Sequence, residues 1–349
     1  IRKDWLDKLG LEVPTTIDEW EKVLIAFRDK DPNGNGKKDE IPLTAVPNFW
    51  GAFGLTMENY YVNPEGEFTF AGMGPRFESY LKTMHRWYEE GLINSEYPTM
   101  DIKTRDAFIT GDISGAFVGY TGSQYGNYIA AKKDDPEFKL VGAPWPKGED
   151  GIAWTPQIGY KRVIQNATAA ISAKSKNIDT ALKLLDSFYT EENTELLNWG
   201  IEGVTYTKTE NGNEFKEEIL HSQDGKGPIA ALAPYAIPSI GWYPRVFDSD
   251  AYRALTLPYP EMQEASALWA SADTSLLNKQ AFVFSDEESK EMAKITASLQ
   301  SYCQEMYQKF VTGHESLDKY AEYEKNLKDM GIERLIEIYK ASYDRQNQN

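Results

Sequence analysis

Apolar residues recur every three to four positions in several long stretches of the chain, and each such stretch predicts a helix with one buried face. Trp20, Val23, Leu24 and Phe27 follow Thr16-Ile17-Asp18-Glu19, which reads as a capping box and predicts an amphipathic helix starting there. Phe77, Tyr80, Leu81, Met84, Trp87 and Tyr88 mark a second helix that Gly91 ends. A helix is expected over Ile178–Tyr189 with Ala181, Leu182, Leu185 and Phe188 inward, then another carrying Leu196, Leu197 and Trp199 up to Gly200. The C-terminal part is helical throughout: a long helix from Asp286 to Val311, one with Leu317, Tyr320, Leu327 and Met330, and one with Ile332, Leu335, Ile336 and Tyr339, separated by Gly313 and Gly331.

Strand signals are shorter. Asn63-Pro64-Glu65-Gly66-Glu67 suits a hairpin turn between two short strands. A short helix at 105–110 turns through Gly111 into the strand Ser114-Gly115-Ala116-Phe117-Val118. Further strands are predicted at 139–144, ending at the loop Pro144-Trp145-Pro146-Lys147-Gly148, and at 168–172. Ligands tend to bind where strands run into loops in α/β proteins. Between Gly200 and Pro260 the chain reads as loop-rich, with the aromatic pair Trp242-Tyr243 in its midst.

Between the first helix and the next extended segment lies Asp29-Lys30-Asp31-Pro32-Asn33-Gly34-Asn35-Gly36-Lys37-Lys38-Asp39-Glu40, where oxygen-bearing side chains alternate with glycines. Calcium takes roughly six to eight oxygen ligands, and such a turning chain can aim them at one centre. Counting from Asp29 gives EF-hand spacing with Gly34 at the turn and Glu40 in twelfth place. Counting from Asp31 gives a shorter loop, with Asp31, Asn33 and Asn35, Gly36 at the turn, the Lys37 carbonyl, then Asp39 and Glu40. The second register suits the adjoining segment better, since Ile41-Pro42-Leu43-Thr44 reads as extended chain where an EF-hand has its exit helix. The plain alternative is an Asn-Gly surface turn.

Composition narrows the function. With 349 residues the chain holds about two domains. A net charge of -17 disfavours nucleic acid and simple adsorption to anionic lipid, whose binders carry basic surfaces. The single cysteine, Cys303, keeps step with Met292, Ile295, Leu299, Met306 and Phe310, and so reads as a core residue. His85, His221 and His314 are dispersed, which argues against zinc. No apolar run reaches the roughly eighteen residues of a membrane span. The opening Ile1-Arg2-Lys3-Asp4-Trp5-Leu6 reads as the middle of a domain, so a truncated N-terminus is expected.

Hydrolase, P-loop and dinucleotide motifs are absent, and with 54 acidic residues a carboxylate pair for glycoside hydrolysis carries no information. What stands out is aromatic rings in turn-rich segments: Phe49, Trp50, Tyr120, Tyr125, Trp145, Trp154, Trp242 and Tyr243. A sugar ring presents an apolar C–H face to a flat aromatic and needs polar side chains at its edge. The competing use of such rings is to plug the ends of the core. Trp20, Trp87 and Trp199, on helical stripes, are assigned to the core.

The opening ten residues, Pro14-Thr15-Thr16-Ile17-Asp18-Glu19-Trp20, the cation loop through Pro42-Leu43, Ala107-Phe108-Ile109-Thr110-Gly111-Asp112, and the ending Met330-Gly331-Ile332-Glu333-Arg334-Leu335 with Tyr343-Asp344-Arg345 together resemble a known family. It is the lipoprotein-type (family 1) extracellular solute-binding proteins of ABC sugar importers, and within it the calcium-containing alginate-oligosaccharide binders. The resemblance implies an α/β, two-lobed, periplasmic-binding-protein-like type II fold with the N-terminal part of lobe one missing from this chain. Residues 1–167 would be mostly lobe two with the calcium loop, 168–205 a return segment of lobe one, and 206–349 the cleft and hinge segment with C-terminal helices packing on lobe two. It further implies structural Ca2+ on Asp31, Asn33, Asn35, Lys37, Asp39 and Glu40.

The function expected is a non-enzymatic, extracytoplasmic binding component that closes on an oligosaccharide and delivers it to a permease. Trp50, Tyr120, Tyr125, Trp145, Trp242 and Tyr243 are the candidates for stacking, and Gln124, Asn127 and Arg245 for hydroxyl contacts. The location implied is the extracellular face of the cell membrane or the periplasm, with any membrane attachment through a lipid anchor that this chain does not carry. The rivals are a calcium-stabilised carbohydrate-active enzyme and a peptide or anion binder of the same fold.

Overall fold

The helices form where apolar periodicity meets a capping side chain, and the computed structural model describes them together with the rest of residues 1–156, 169–223, 226–236, 246–278 and 280–347. Contacts divide the chain into two compact units. One comprises Ile1–Val118, Ala143–Gly159 and Leu268–Asn349, the other Gly119–Gly142 and Tyr160–Ala267.

In the first unit the helix Ile17–Asp29 buries Trp20, Val23, Leu24, Ala26 and Phe27. Its cap differs from a capping box by one residue. The Glu19 N–H donates to Thr16 Oγ1 at 3.2 Å, but the Glu19 carboxylate receives the N–H and hydroxyl of Thr15, at 2.7 and 2.8 Å. The strand Ile41–Leu43 follows the cation loop and pairs in parallel with Ser114–Ala116, as the extended reading of Ile41-Pro42-Leu43 requires. A parallel pair needs a long crossover, and residues 44–113 supply it. Gly115 lets this pair lie against the helix: a Cβ there would meet Phe27 at 2.3 Å and Trp5 at 3.0 Å.

That crossover contains the predicted hairpin, Tyr60–Val62 against Phe68–Phe70, with Asn63 Oδ1 accepting the Glu67 N–H at 2.8 Å. It also contains the helix Gly74–Glu89, which buries Phe77, Tyr80, Leu81, Met84 and Trp87. Each such side chain contributes about 1.5–3 kcal/mol by leaving water. The helix Asp286–Val311 begins at a true capping box, Ser285 with Glu288. Helices Tyr320–Asp329 and Ile332–Asn347 complete the unit, and Tyr339 stacks on Tyr60 with centroids 3.8 Å apart. Cys303 is half-buried, with the Tyr323 hydroxyl 3.7 Å from its sulfur.

The second unit is built on a core of Trp199, Tyr206, Phe215, Ile219, Leu232, Ala251 and Leu255. The Trp199 indole N–H donates to Asp248 at 2.8 Å, which satisfies the polar end of a buried ring. The stretch expected to be loop-rich is more ordered than that: it contains the hairpin Tyr206–Thr209 with Gly212–Phe215 and the helices Glu217–Leu220, Pro228–Leu232 and Ser249–Thr256, before Pro260–Ala270. Asn211-Gly212 is a hairpin turn signal, and Gly212 has φ 111.

Among the described residues, 139–144 carry a single bridge position, at Leu140, and 169–172 carry no strand. The helix Ile178–Ser187 forms, and of the residues expected inward Ala181, Leu185 and Phe188 are half-buried, whereas Leu182 is 51% exposed. Amphipathic periodicity fixes the helix, whereas burial requires a surface to cover it.

Candidate cation loop and binding cavity

The cation loop is wound by its own side chains. Asp31 (φ 48), Gly34 (φ 74) and Gly36 (φ 75) adopt left-handed backbone, which turns the chain tightly. The Asp31 carboxylate accepts the N–H groups of Asn35 and Gly36 at 3.1 and 2.9 Å. Asn33 Oδ1 accepts from Asn35 N–H at 3.0 Å, and Asn35 Oδ1 from Lys37 N–H at 2.7 Å. The Asn35 side-chain amide donates to Asp39 at 3.0 Å, and that of Asn33 to the Asp112 carbonyl at 3.0 Å. Asp112 is itself paired with Arg2 at 2.6 Å, and Arg2 with Asp4 at 2.6 Å, so the loop is moored to a buried ion pair. Asp29, the first residue of the EF-hand register, pairs instead with Arg28 at 2.8 Å, which holds its carboxyl below the usual range.

Glu40 is different from its neighbours. Both of its carboxylate oxygens are buried, and the donor that reaches them is the residue's own backbone N–H, with no cationic side chain against them. Burial pushes its carboxyl above the ordinary value, and the charges of Asp31 and Asp39 push the same way. A carboxylate with buried oxygens and no cationic partner, beside two other acids, fits a bound cation as its counter-charge. Carboxylates alone do not complete such a site: among the described residues no group of three or more His, Cys, Asp or Glu side chains converges as a metal cluster. The remaining oxygens would come from the Asn33 and Asn35 amides and the Lys37 carbonyl, a mixture typical of calcium rather than zinc.

A cavity of about 390 Å³ lies within the first unit. Its apolar lining is Pro144, Trp145, Ala153, Leu268 and Ala272, and its polar lining Thr15, Lys147, Ser271 and Asp273. Three separate passages of the chain meet here, and backbone bonds fix each. The Lys147 N–H donates to the Thr15 carbonyl at 2.8 Å; the Asp273 N–H donates to Ala153, and the Thr155 N–H to Asp273, both at 2.9 Å. The Trp269 indole N–H donates to the Ala143 carbonyl at 2.7 Å. Asp273 Oδ1 accepts the Ser275 N–H at 2.7 Å, and bonding from Ser275 holds the Asp273 carboxyl below its ordinary range. Behind the wall, Gly51 approaches so closely that a Cβ would stand 1.9 Å from the Trp154 carbonyl oxygen.

Of the stacking candidates, Trp145 lines this cavity. Trp50 is half-buried, with its ring packed on Phe77 and Tyr80 at 5.7 and 5.4 Å. Phe49 and Trp154 are buried. In the second unit Tyr120 is 65% exposed, and its N–H donates to Gln124 Oε1 at 2.9 Å. Tyr125 is buried with its hydroxyl donating to the Leu140 carbonyl at 3.2 Å, and Asn127 is exposed beside Gly227. Trp242, Tyr243 and Arg245 lie outside the described residues. Thr15, Leu268, Ser271 and Asp273 were not foreseen, because no local motif links residues that meet only through long-range bridges.

The family model of the bacterial extracellular solute-binding proteins matches residues 1–195. The fructooligosaccharide ABC transporter substrate-binding protein FusA of Streptococcus pneumoniae is 24% identical over 365 residues, covering 100% of this chain and 65% of FusA. The polygalacturonan/rhamnogalacturonan-binding protein YtcQ of Bacillus subtilis is 27% identical, covering 66% of this chain and 48% of its own length. The chain thus spans about half to two thirds of these relatives. Among solved structures, the alginate-binding protein AlgQ2, determined without calcium ion, superposes with a TM-score of 0.77 at 25% identity over 99% of this chain and 71% of its own. FusA, as an EF-hand mutant in complex with fructo-nystose, gives 0.74 at 20% identity over 100% and 72%. The fold is that of the periplasmic-binding-protein-like solute-binding proteins, and the named relatives are substrate-binding proteins.

Proposed function

Because the chain belongs to the family of bacterial extracellular solute-binding proteins, we propose that it is the extracytoplasmic substrate-binding component of an ABC transporter, taking up an oligosaccharide and delivering it to a permease without chemical turnover. The observation that carries this is the cavity at Trp145, whose lining combines an indole and aliphatic side chains with polar groups. A sugar ring needs that combination: a flat apolar wall for its C–H face, and Thr15, Ser271, Asp273 and Lys147 for its hydroxyls. A volume of about 390 Å³ falls within the usual range of small-molecule sites, about 300–1,000 Å³.

In this function the first unit serves as lobe two, and Tyr120, Gln124 and Asn127 remain candidates for sugar contacts on the second unit. Asp31, Asn33, Asn35, the Lys37 carbonyl, Asp39 and Glu40 hold a structural calcium, which neutralises the buried Glu40 charge and ties the loop to the strand Ile41–Leu43. The cavity lies on other parts of the chain, so the ion stabilises the lobe and does not touch the sugar. Delivery to the permease follows hinge closure around the ligand.

Thermal unfolding of the full chain against a panel of oligosaccharides, in calcium and in chelator, tests the function. A ligand that binds only the folded state raises Tm by mass action. A concentration-dependent rise with no new saccharide products after hours supports a transport binder. Products released from the glycan would make the protein an enzyme and overturn the proposal.

A further inference from the structure

We propose that the saccharide received at the Trp145 cavity is electrically neutral and not a uronate. This rests on the transport function proposed above and concerns only the charge of its ligand. The relatives divide on this point, since FusA is described by fructooligosaccharide and YtcQ by polygalacturonan and rhamnogalacturonan.

Four observations favour a neutral ligand. A sugar carboxylate is best held by a planar guanidinium that donates two parallel hydrogen bonds. No arginine lines the cavity among the described residues; its one cation is Lys147, which is exposed. The second charge in the lining is Asp273, fixed in place by backbone bonds to Ala153 and Thr155 and kept ionised by Ser275. An ionised aspartate accepts hydrogen bonds from sugar hydroxyls well, but it opposes a carboxylate on the same ring. The remaining polar groups, Thr15 and Ser271, are neutral hydroxyls. Beyond the cavity, the net charge of -17 disfavours the approach of any polyanion, and most strongly at low salt.

The test is calorimetric titration of the full chain in calcium with neutral fructo-, gluco- and manno-oligosaccharides and with oligogalacturonates and oligoalginates of matched length, at low and moderate salt. Expected is binding of a neutral oligosaccharide at least tenfold tighter than any uronate, with neutral affinity changing less than twofold between the two salts. Asp273→Asn keeps an acceptor for the Ser275 N–H and is expected to raise the ratio of uronate to neutral affinity severalfold. A uronate that binds more tightly than every neutral sugar would overturn the proposal while leaving the transport function intact. Binding of neither class would overturn both.

Discussion

Replacing Glu40 with glutamine should change stability in opposite directions with and without calcium. In chelator the carboxylate has no cationic partner, and burial together with the charges of Asp31 and Asp39 raises it above its ordinary value of 4.5. An acid raised in the folded state contributes stability that is complete below its unfolded value and is lost as pH rises through its folded value. At pH 7 without calcium the Glu40 charge is therefore destabilising, and Glu40→Gln raises Tm. With calcium the carboxylate becomes a ligand, and the sign reverses. A calcium concentration of 100 times Kd stabilises by about 2.7 kcal/mol. In a body of about 150–250 residues this corresponds to roughly 5–10 °C in Tm. Loss of one charged ligand lowers affinity on the order of 100-fold, which removes most of that gain at the same calcium concentration. Differential scanning calorimetry of both proteins, with calcium and with chelator, measures all four values. A variant that kept the full calcium-induced rise, or melted below the wild type in chelator, would refute the account of the loop.

Other outcomes rest on the packing. Arg2→Ala removes the charge-assisted hydrogen bonds that the guanidinium donates to buried Asp4 and should cost about 1.5–3 kcal/mol in urea unfolding; a loss under about 0.5 kcal/mol would show the ion pair to be dispensable. Gly51→Ala forces a methyl against the Trp154 carbonyl and should cost about 1–3 kcal/mol or more while weakening oligosaccharide affinity, since Ala153 beside it lines the cavity. Leu182→Lys combined with Leu184→Lys should leave unfolding free energy within about 1 kcal/mol in urea unfolding, because both residues are exposed; a larger loss would show that this helix is covered in solution.

The contrast between what was legible in the chain and what was not has a physical basis. Gly74–Glu89 and Asp286–Val311 were readable because helix periodicity and capping are local, and the hairpin at Asn63–Glu67 because its turn chemistry is local too. The candidate cation loop was noticeable as composition and spacing, but only the structure shows the buried carboxylate oxygens of Glu40 and gives Asp29 to Arg28. Loop aromatics were ambiguous: Trp50 and Trp145 have similar neighbours in sequence, yet one packs on Phe77 and Tyr80 and the other faces a cavity. The cavity's polar edge comes from positions as distant as Thr15 and Asp273, joined by backbone bonds between remote passages.

Oligosaccharide binding at Trp145 is the central claim, and titration calorimetry of wild type and Trp145→Ala with the tightest neutral oligosaccharide tests it most directly. Loss of an aromatic stacking surface worth about 1.4–2.8 kcal/mol predicts a fall in affinity of roughly 10–100-fold, with Tm in the absence of sugar nearly unchanged because the ring is only half-buried. Equal affinity for the two proteins would contradict the account.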